Sequence, residues 1–157
     1  MSDFELKPEI INVLQKINFI ERYDELVNTY KLKETSMEKI DKDKIFEILS
    51  DLGYEAKYYK SEKFFQLKSQ QIENYSFGFH LAFPYGNVEF IWIVSDKEEL
   101  LLGSPCSGYK KRILKGDYKY PCPRCDNYEE VKKVLEIGFQ IYEDFKKEFL
   151  KNKIMEK

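Results

Sequence analysis

NYSFGFHLAFPYGNVEFIWIVSD, residues 74–96, alternates large apolar side chains with small or polar ones on both sides of a turn signal. Tyr75, Phe77, Phe79, Leu81 and Phe83 fall on one side of an extended strand, and Ser76, Gly78, His80 and Ala82 on the other. Beyond PYGN, the residues Val88, Phe90, Trp92 and Val94 alternate against Glu89, Ile91 and Ile93. Pairing Phe83 with Val88 closes a hairpin and sets Leu81 opposite Phe90, Phe79 opposite Trp92 and Phe77 opposite Val94. All the rings then share one face. A slip of one residue would set Phe83 against Asn87 and scatter them, so the pattern specifies its own register. Ile91 and Ile93 predict that the second face is partly covered as well.

The flanks supply cover for the aromatic face. Pro8 suits a first helical position, and Ile10, Leu14, Ile17, Ile20, Val27 and Tyr30 follow near one face of a helix. The spacing predicts a helix over about 8–30, broken near Asn18, with Glu21, Arg22, Asp24 and Glu25 in solvent. A second helix over about 38–52 carries Ile45, Ile48, Leu49 and Leu52 and stops at Gly53. Either Thr35 with Glu38 forms a capping box or Asp41 caps a shorter helix. The period then becomes two. YEAKYYK and KFFQLK join the hairpin strands, and a short strand at Leu100–Leu102 closes a sheet over about 54–102. Residues 103–126 read as a Cys- and Lys-rich loop with at most one short strand near Arg112–Leu114. A closing helix over about 127–152 buries Val131, Leu135, Gly138, Tyr142, Phe145 and Phe149. Lys146, Lys147 and Lys151 near its end suit the macrodipole. Gly138 in its interior predicts a close approach to the sheet. The fold class is therefore α+β: a single domain over 1–157, in which an antiparallel meander of four to six strands packs on N-terminal helices and a long C-terminal helix.

Composition agrees. The 157 residues are 43% hydrophobic, 34% charged and 16% aromatic, the mix of a globular chain with a ring-built core. No secretory signal and no apolar run of membrane length is visible, which predicts a cytoplasmic protein without a membrane partner. Net charge is −2. Residues 1–53 carry 8 basic and 12 acidic side chains, whereas 103–126 carry 6 basic and 2 acidic. One basic segment of that size is too small for the broad basic face of a nucleic-acid binder.

YPCPRC, residues 120–125, holds two of the three cysteines. Two thiolates from one turn can share a tetrahedral zinc ion, with Cys106 as third ligand and His80, the lone histidine, as fourth. Against this, the second half of such a site would be two isolated residues, and Asp126 stands where a knuckle favours Gly. A redox CxxC opens a helix after a buried apolar strand, and DYKYPC is polar. The simplest reading makes the cysteines small buried hydrophobes and the cofactor none, with zinc as the alternative. GSPCSGYKK lacks the spacing of a phosphate loop, because Tyr109 separates Gly108 from Lys110. Lys110, Lys111, Arg112 and Lys115 form either a solvated run or a contact for an acidic protein partner. His80 as a general base would need an orienting carboxylate, and Glu89 lies diagonally from it. No serine-nucleophile, zinc-protease or paired-carboxylate motif is present, so an enzyme is not expected. Twenty-four Phe and Tyr rings exceed what one small core consumes, and surface rings favour protein recognition.

The layout of helices, meander, loop and closing helix, with FGFHLAFPYGNVEFIWIV followed by PCPRCDNYEEVKKVLEIGFQIYEDFKKEF, resembles small bacterial immunity proteins, the cytosolic antidotes of polymorphic toxins. The similarity covers about residues 54–152 and rests on a Gly-turn hairpin with an acidic residue on its second strand and on the closing helix. It implies a non-enzymatic binding protein that neutralises a cognate toxin, and it transfers no individual contact residue. The cysteine loop departs from it. The alternatives are a zinc-stabilised structural or regulatory module, and a small-molecule binder or enzyme built on the aromatic sheet face and His80.

Overall fold

The first helical stretch divides where an asparagine permits it. Helix α1 (Pro8–Lys16) has Pro8 in its first turn, and the chain then turns through Asn18 at φ 57° before α2 (Phe19–Thr29) begins. Asn tolerates this left-handed conformation better than most residues. Helix α3 (Lys42–Asp51) is capped by Asp41, whose carboxylate accepts the Asp43 N–H at 2.9 Å. Gly53 at φ 89° ends it. The computed structural model describes residues 6–31, 39–97, 99–119 and 121–155, so Thr35 and Glu38, the alternative cap, lie outside the described residues.

The strands are β1 (Ala56–Tyr59), β2 (Phe64–Leu67), β3 (Gln70–Ile72), β4 (Tyr75–Ala82), β5 (Glu89–Asp96) and β6 (Glu99–Pro105). They form one antiparallel sheet in the order β1-β2-β4-β5-β6, with β3 also on β4. Phe65 pairs with Leu81 and Gln70 with Phe77, so β2 and β3 run along the same edge of β4 with a register shift of one residue between them. The central hairpin has the register read from its pattern: Leu81 opposite Phe90, Phe79 opposite Trp92, Phe77 opposite Val94. Its turn is a single 3-10 turn at Pro84–Gly86, with Gly86 at φ 85°.

Two corrections concern the segment after the sheet. The strand expected at Leu100–Leu102 extends to Pro105, and the expected loop contains a helix, α4 (Tyr109–Leu114), where a short strand was the expectation. Tyr109 explains it. Its ring is fully buried against Trp92 and Phe19 at 5.7 and 5.2 Å, and its hydroxyl donates to the Ser104 carbonyl at 2.9 Å. Helix α5 (Tyr128–Met155) is the longest element. The Asn127 side chain accepts the Glu130 N–H at 2.9 Å, and the Glu130 carboxylate reaches back to the Asp126 N–H at 2.8 Å. No described helix is long and apolar enough to cross a membrane.

The core lies between one face of the sheet and the helices. Phe79 meets Phe139 and Tyr142 of α5 at 5.2 and 4.9 Å. Trp92 meets Phe19, Tyr142 and Phe145 at 5.6, 5.6 and 4.9 Å, and Phe149 caps Tyr75 and Phe77. Most of these pairs are edge-to-face or tilted, as ring quadrupoles prefer. A Cβ added to Gly138 would stand 2.5 Å from Cζ and 2.8 Å from Cε2 of Phe90. The helix can lie this close only because position 138 has no side chain.

Gly138→Ala therefore sets two effects against each other. Helix propensity favours Ala by about 1 kcal/mol, while forcing Phe90 aside costs about 1–3 kcal/mol. A net loss of stability is expected. Urea unfolding followed through Trp92, the one tryptophan in the chain, tests it; an unchanged or higher midpoint would mean that the α5–Phe90 approach is not tight.

Candidate functional site

The hairpin that turns its rings towards the helices must turn its other residues away from them. Ser76, Gly78, His80 and Ala82 of β4, and Glu89, Ile91, Ile93 and Ser95 of β5, are only half-buried. Among the described elements, the helices that bury the aromatic face leave this outer face open. Rows across it read Lys57, Gln66, His80, Ile91, Pro105 and then Gly78, Ile93, Gly103. At one side three rings stack: Tyr59 on Phe64 at 5.1 Å and 18°, and Phe64 on His80 at 4.4 Å and 23°. At the other, Leu100 is 59% exposed. A Cβ added at Gly78 would meet Ile93 at an ordinary 3.5 Å. Packing does not demand a glycine here; its effect is to leave the centre of the face low beside the Ile93 ridge.

In a chain that is 34% charged, strands β2, β4, β5 and β6 place one carboxylate, Glu89, towards this face. Burial raises the Glu89 pKa above the ordinary carboxylate range. Burial also lowers the His80 pKa, so His80 is a neutral ring at pH 7, not a second charge. A charge-poor, ring-bearing surface is what the centre of a protein interface looks like.

The cysteines lie at one margin, around Glu89. The end of the CPRC stretch runs beside the hairpin tip. Asn87 and Arg124 form an antiparallel bridge, the Val88 N–H donates to the Pro123 carbonyl at 2.8 Å, and the Cys125 N–H donates to the Gly86 carbonyl at 3.3 Å. In such an extended stretch, residues three apart point to opposite sides. Pro123 and Cys125 are buried, while Cys122 and Arg124 are half-buried. Cys122 instead reaches the Tyr23 and Ser107 hydroxyls, next to Cys106. None of the three cysteines is in a disulfide. His80 is on the open face, apart from the buried Cys106 and Cys125. Among the described residues no group of three or more His, Cys, Asp and Glu side chains is arranged to hold a metal ion.

The basic segment is drawn inward in part. Lys110 donates to the Asp24 carboxylate of α2 at 2.9 Å and lies 4.9 Å from the Tyr118 ring. Lys111 and Arg112 ride on α4, and Lys115 is its left-handed C-cap at φ 56°. Lys146, whose place near the end of α5 suits the macrodipole, is only 7% exposed. Its ammonium meets Gln70 at 2.6 Å, Glu143 at 3.0 Å and the Tyr142 ring at 4.6 Å. The Tyr54 hydroxyl donates to the other Glu143 oxygen at 2.9 Å. These residues line a cleft of about 440 Å³. Position 146, four residues after Tyr142 and three before Phe149, lies beside the buried stripe, but the local pattern does not point to its partner Gln70.

Two measurements follow from Glu89 and Cys122. Because the folded state holds the Glu89 pKa above its unfolded value, ionising Glu89 costs stability as pH rises through the folded pKa. Glu89→Gln should unfold at a higher urea concentration than wild type at pH 7, with the difference vanishing at pH values below its ordinary 4.5. Burial first, and then the Glu89 charge, push the Cys122 thiol up to about 11. Alkylation of native protein by iodoacetamide should therefore be slow at pH 7, rise roughly tenfold per pH unit towards that value, and be faster in Glu89→Gln. Rapid alkylation at neutral pH would contradict the buried setting of this thiol.

No family model matches the chain, and no curated protein or solved structure matches it either.

Proposed function

We propose that this chain is a non-enzymatic protein-binding module that docks its partner on the open face of the sheet, and that the partner is a toxin which it neutralises. The observation that carries the reading is the charge-poor outer face of β2, β4, β5 and β6, with the Tyr59–Phe64–His80 ring stack at its side. The toxin as partner rests on the resemblance of the hairpin and closing helix to immunity proteins. A sheet face backed by a packed aromatic core is rigid before binding. Little ordering cost then subtracts from the contact energy. The rings supply area at low entropy cost, and Glu89 at the margin gives a basic group on the partner a charged contact. Steering by the acidic amino-terminal helices is weaker than their composition suggests, because Asp24 and Glu9 are already paired with Lys110 and Lys153.

The test uses the product of the gene adjacent to this one. Co-expressed with that product, the wild-type chain should co-purify with it and restore growth if the product is toxic. Gly78→Arg puts a long cation at the centre of the face, where the backbone has room for a side chain. It should keep the native Trp92 emission and lose at least about a hundredfold in affinity. A folded Gly78→Arg variant that binds as tightly as wild type would remove the face from the interface. No complex with any neighbouring product would remove the toxin.

A further inference from the structure

Tyr142, Glu143 and Lys146 lie within one turn of each other on one side of α5. They face two connections, one between α3 and β1 that carries Tyr54 and Glu55, the other between β2 and β3 that leads from Lys68 to Gln70. Together these residues line the cleft of about 440 Å³. The Lys68 N–H donates to the Glu55 carbonyl at 2.8 Å and fastens the two connections to each other. The Lys146 side chain is only 9% exposed, whereas that of its partner Glu143, at 3.0 Å, is 43% exposed. The polar network has capacity to spare. A carboxylate offers about four acceptor positions, and the Lys146 ammonium and the Tyr54 hydroxyl use one each on Glu143. Gln70, an exposed residue, holds Lys146 through its amide oxygen and brings two N–H donors beside it. The Tyr54 ring is held against Phe139 at 4.3 Å.

We propose that this cleft binds a neutral sugar, a mono- or disaccharide held through its hydroxyls. Charge selects against ionic ligands. Lys146 is paired with Glu143, and Lys68 with Glu55 at 3.6 Å on the rim. A net anion would meet two carboxylates there, and a net cation two ammonium groups. A hydroxyl carries no charge and both donates and accepts. It can add a bond to Glu143 or Gln70 without opening the ion pair that lets Lys146 stay buried, and opening that pair would be costly. Adjacent hydroxyls on a sugar ring are spaced like the two oxygens of a carboxylate or the oxygen and nitrogen of an amide. Glu143 and Gln70 can therefore each engage two hydroxyls at once. Tyr54 and Tyr142 offer ring surface to the C–H groups of the sugar. The volume lies in the usual range of small-molecule sites, about 300–1,000 Å³. Because α5 packs on the aromatic face of the sheet, the cleft is on the helix side. Its occupancy is independent of the open outer face and of any toxin.

The test is a titration of the full-length, nitrogen-15-labelled chain, followed by the shifts of its backbone amides. Glucose, galactose, mannose, N-acetylglucosamine, maltose and lactose are added separately, each to about 50 mM, a range that reaches millimolar dissociation constants. At least one of them should give saturable shifts centred on residues 53–55, 67–70 and 142–146. Glucuronate and glucosamine, an anionic and a cationic relative, should shift those amides less than the best neutral sugar at equal concentration. Gln70→Ala should weaken binding of that sugar roughly tenfold, the loss expected for removing hydrogen bonds to a ligand, while keeping the native Trp92 emission. Absence of a saturable shift with every one of these sugars, shifts centred elsewhere, or tighter binding of glucuronate or glucosamine would each overturn the proposal. So would a natively folded Gln70→Ala chain that binds like wild type. The wild-type titrations are decisive by themselves, so a variant that fails to fold does not weaken the test.

Discussion

The approach of α5 to the central hairpin governs the rest of the structure. Gly138 sits over Phe90 with no room for a Cβ, and the turns that follow bring Phe139, Tyr142, Phe145 and Phe149 down onto Phe79, Trp92, Phe77 and Tyr75. Burying rings of this size dominates the stability of a small domain, at roughly 25 cal/mol per Å² of apolar surface. The other elements fit around that contact. Phe19 from α2 and Tyr109 from α4 fill the space beside Trp92 that α5 leaves. The ring packing is strong enough to tolerate a buried Trp92 Nε1 with no acceptor among the described residues, a defect of about 1–3 kcal/mol.

One buried face implies one open face, since strand side chains alternate. The contrast between the two is chemical as well as geometric. The inner face is built of rings and aliphatics, and the outer face of glycines, isoleucines, a proline, a glutamine and a neutral histidine. Charges that would ordinarily keep an outer face solvated are displaced to its margins, at Lys57 and Glu89, and to the helices. Glu89 is held there against a burial penalty. The outer face, and not the cysteine motif, is the surface on which we propose the partner docks.

The thiols have a different logic. CPRC suggests a pair by its spacing, yet the segment is extended where it meets the hairpin tip, and extended backbone separates positions three apart. The bridge between Asn87 and Arg124 thus sets Cys122 and Cys125 on opposite sides of this stretch. Tyr23 is the second determinant. Its hydroxyl donates to the Pro121 carbonyl at 2.9 Å and so ties the segment that carries Cys122 to α2. The two effects leave Cys122 half-buried on the α2 side and Cys125 buried at the hairpin tip.

Much of the fold was legible in the chain because it depends on local rules. Alternation through Tyr75–Phe83 and Val88–Val94, with Gly86 in the turn, admits one register. Asn18 marks the break between α1 and α2, Asp41 the start of α3, and Gly138 the closest helix–sheet contact. Each of these follows from backbone preference or from the period of the apolar residues, which neighbouring sequence alone determines. The helix at Tyr109–Leu114, the inward turn of Lys110, the burial of Lys146 and the separation of Cys122 from Cys125 were not legible. Each depends on a partner far along the chain: Trp92 and Phe19 for Tyr109, Asp24 for Lys110, Gln70 for Lys146, the hairpin tip for Cys125. Local pattern determined which elements form and which of their faces is apolar. Only tertiary packing decided which charges and which cysteines are buried, because burial is a property of what the rest of the chain places alongside.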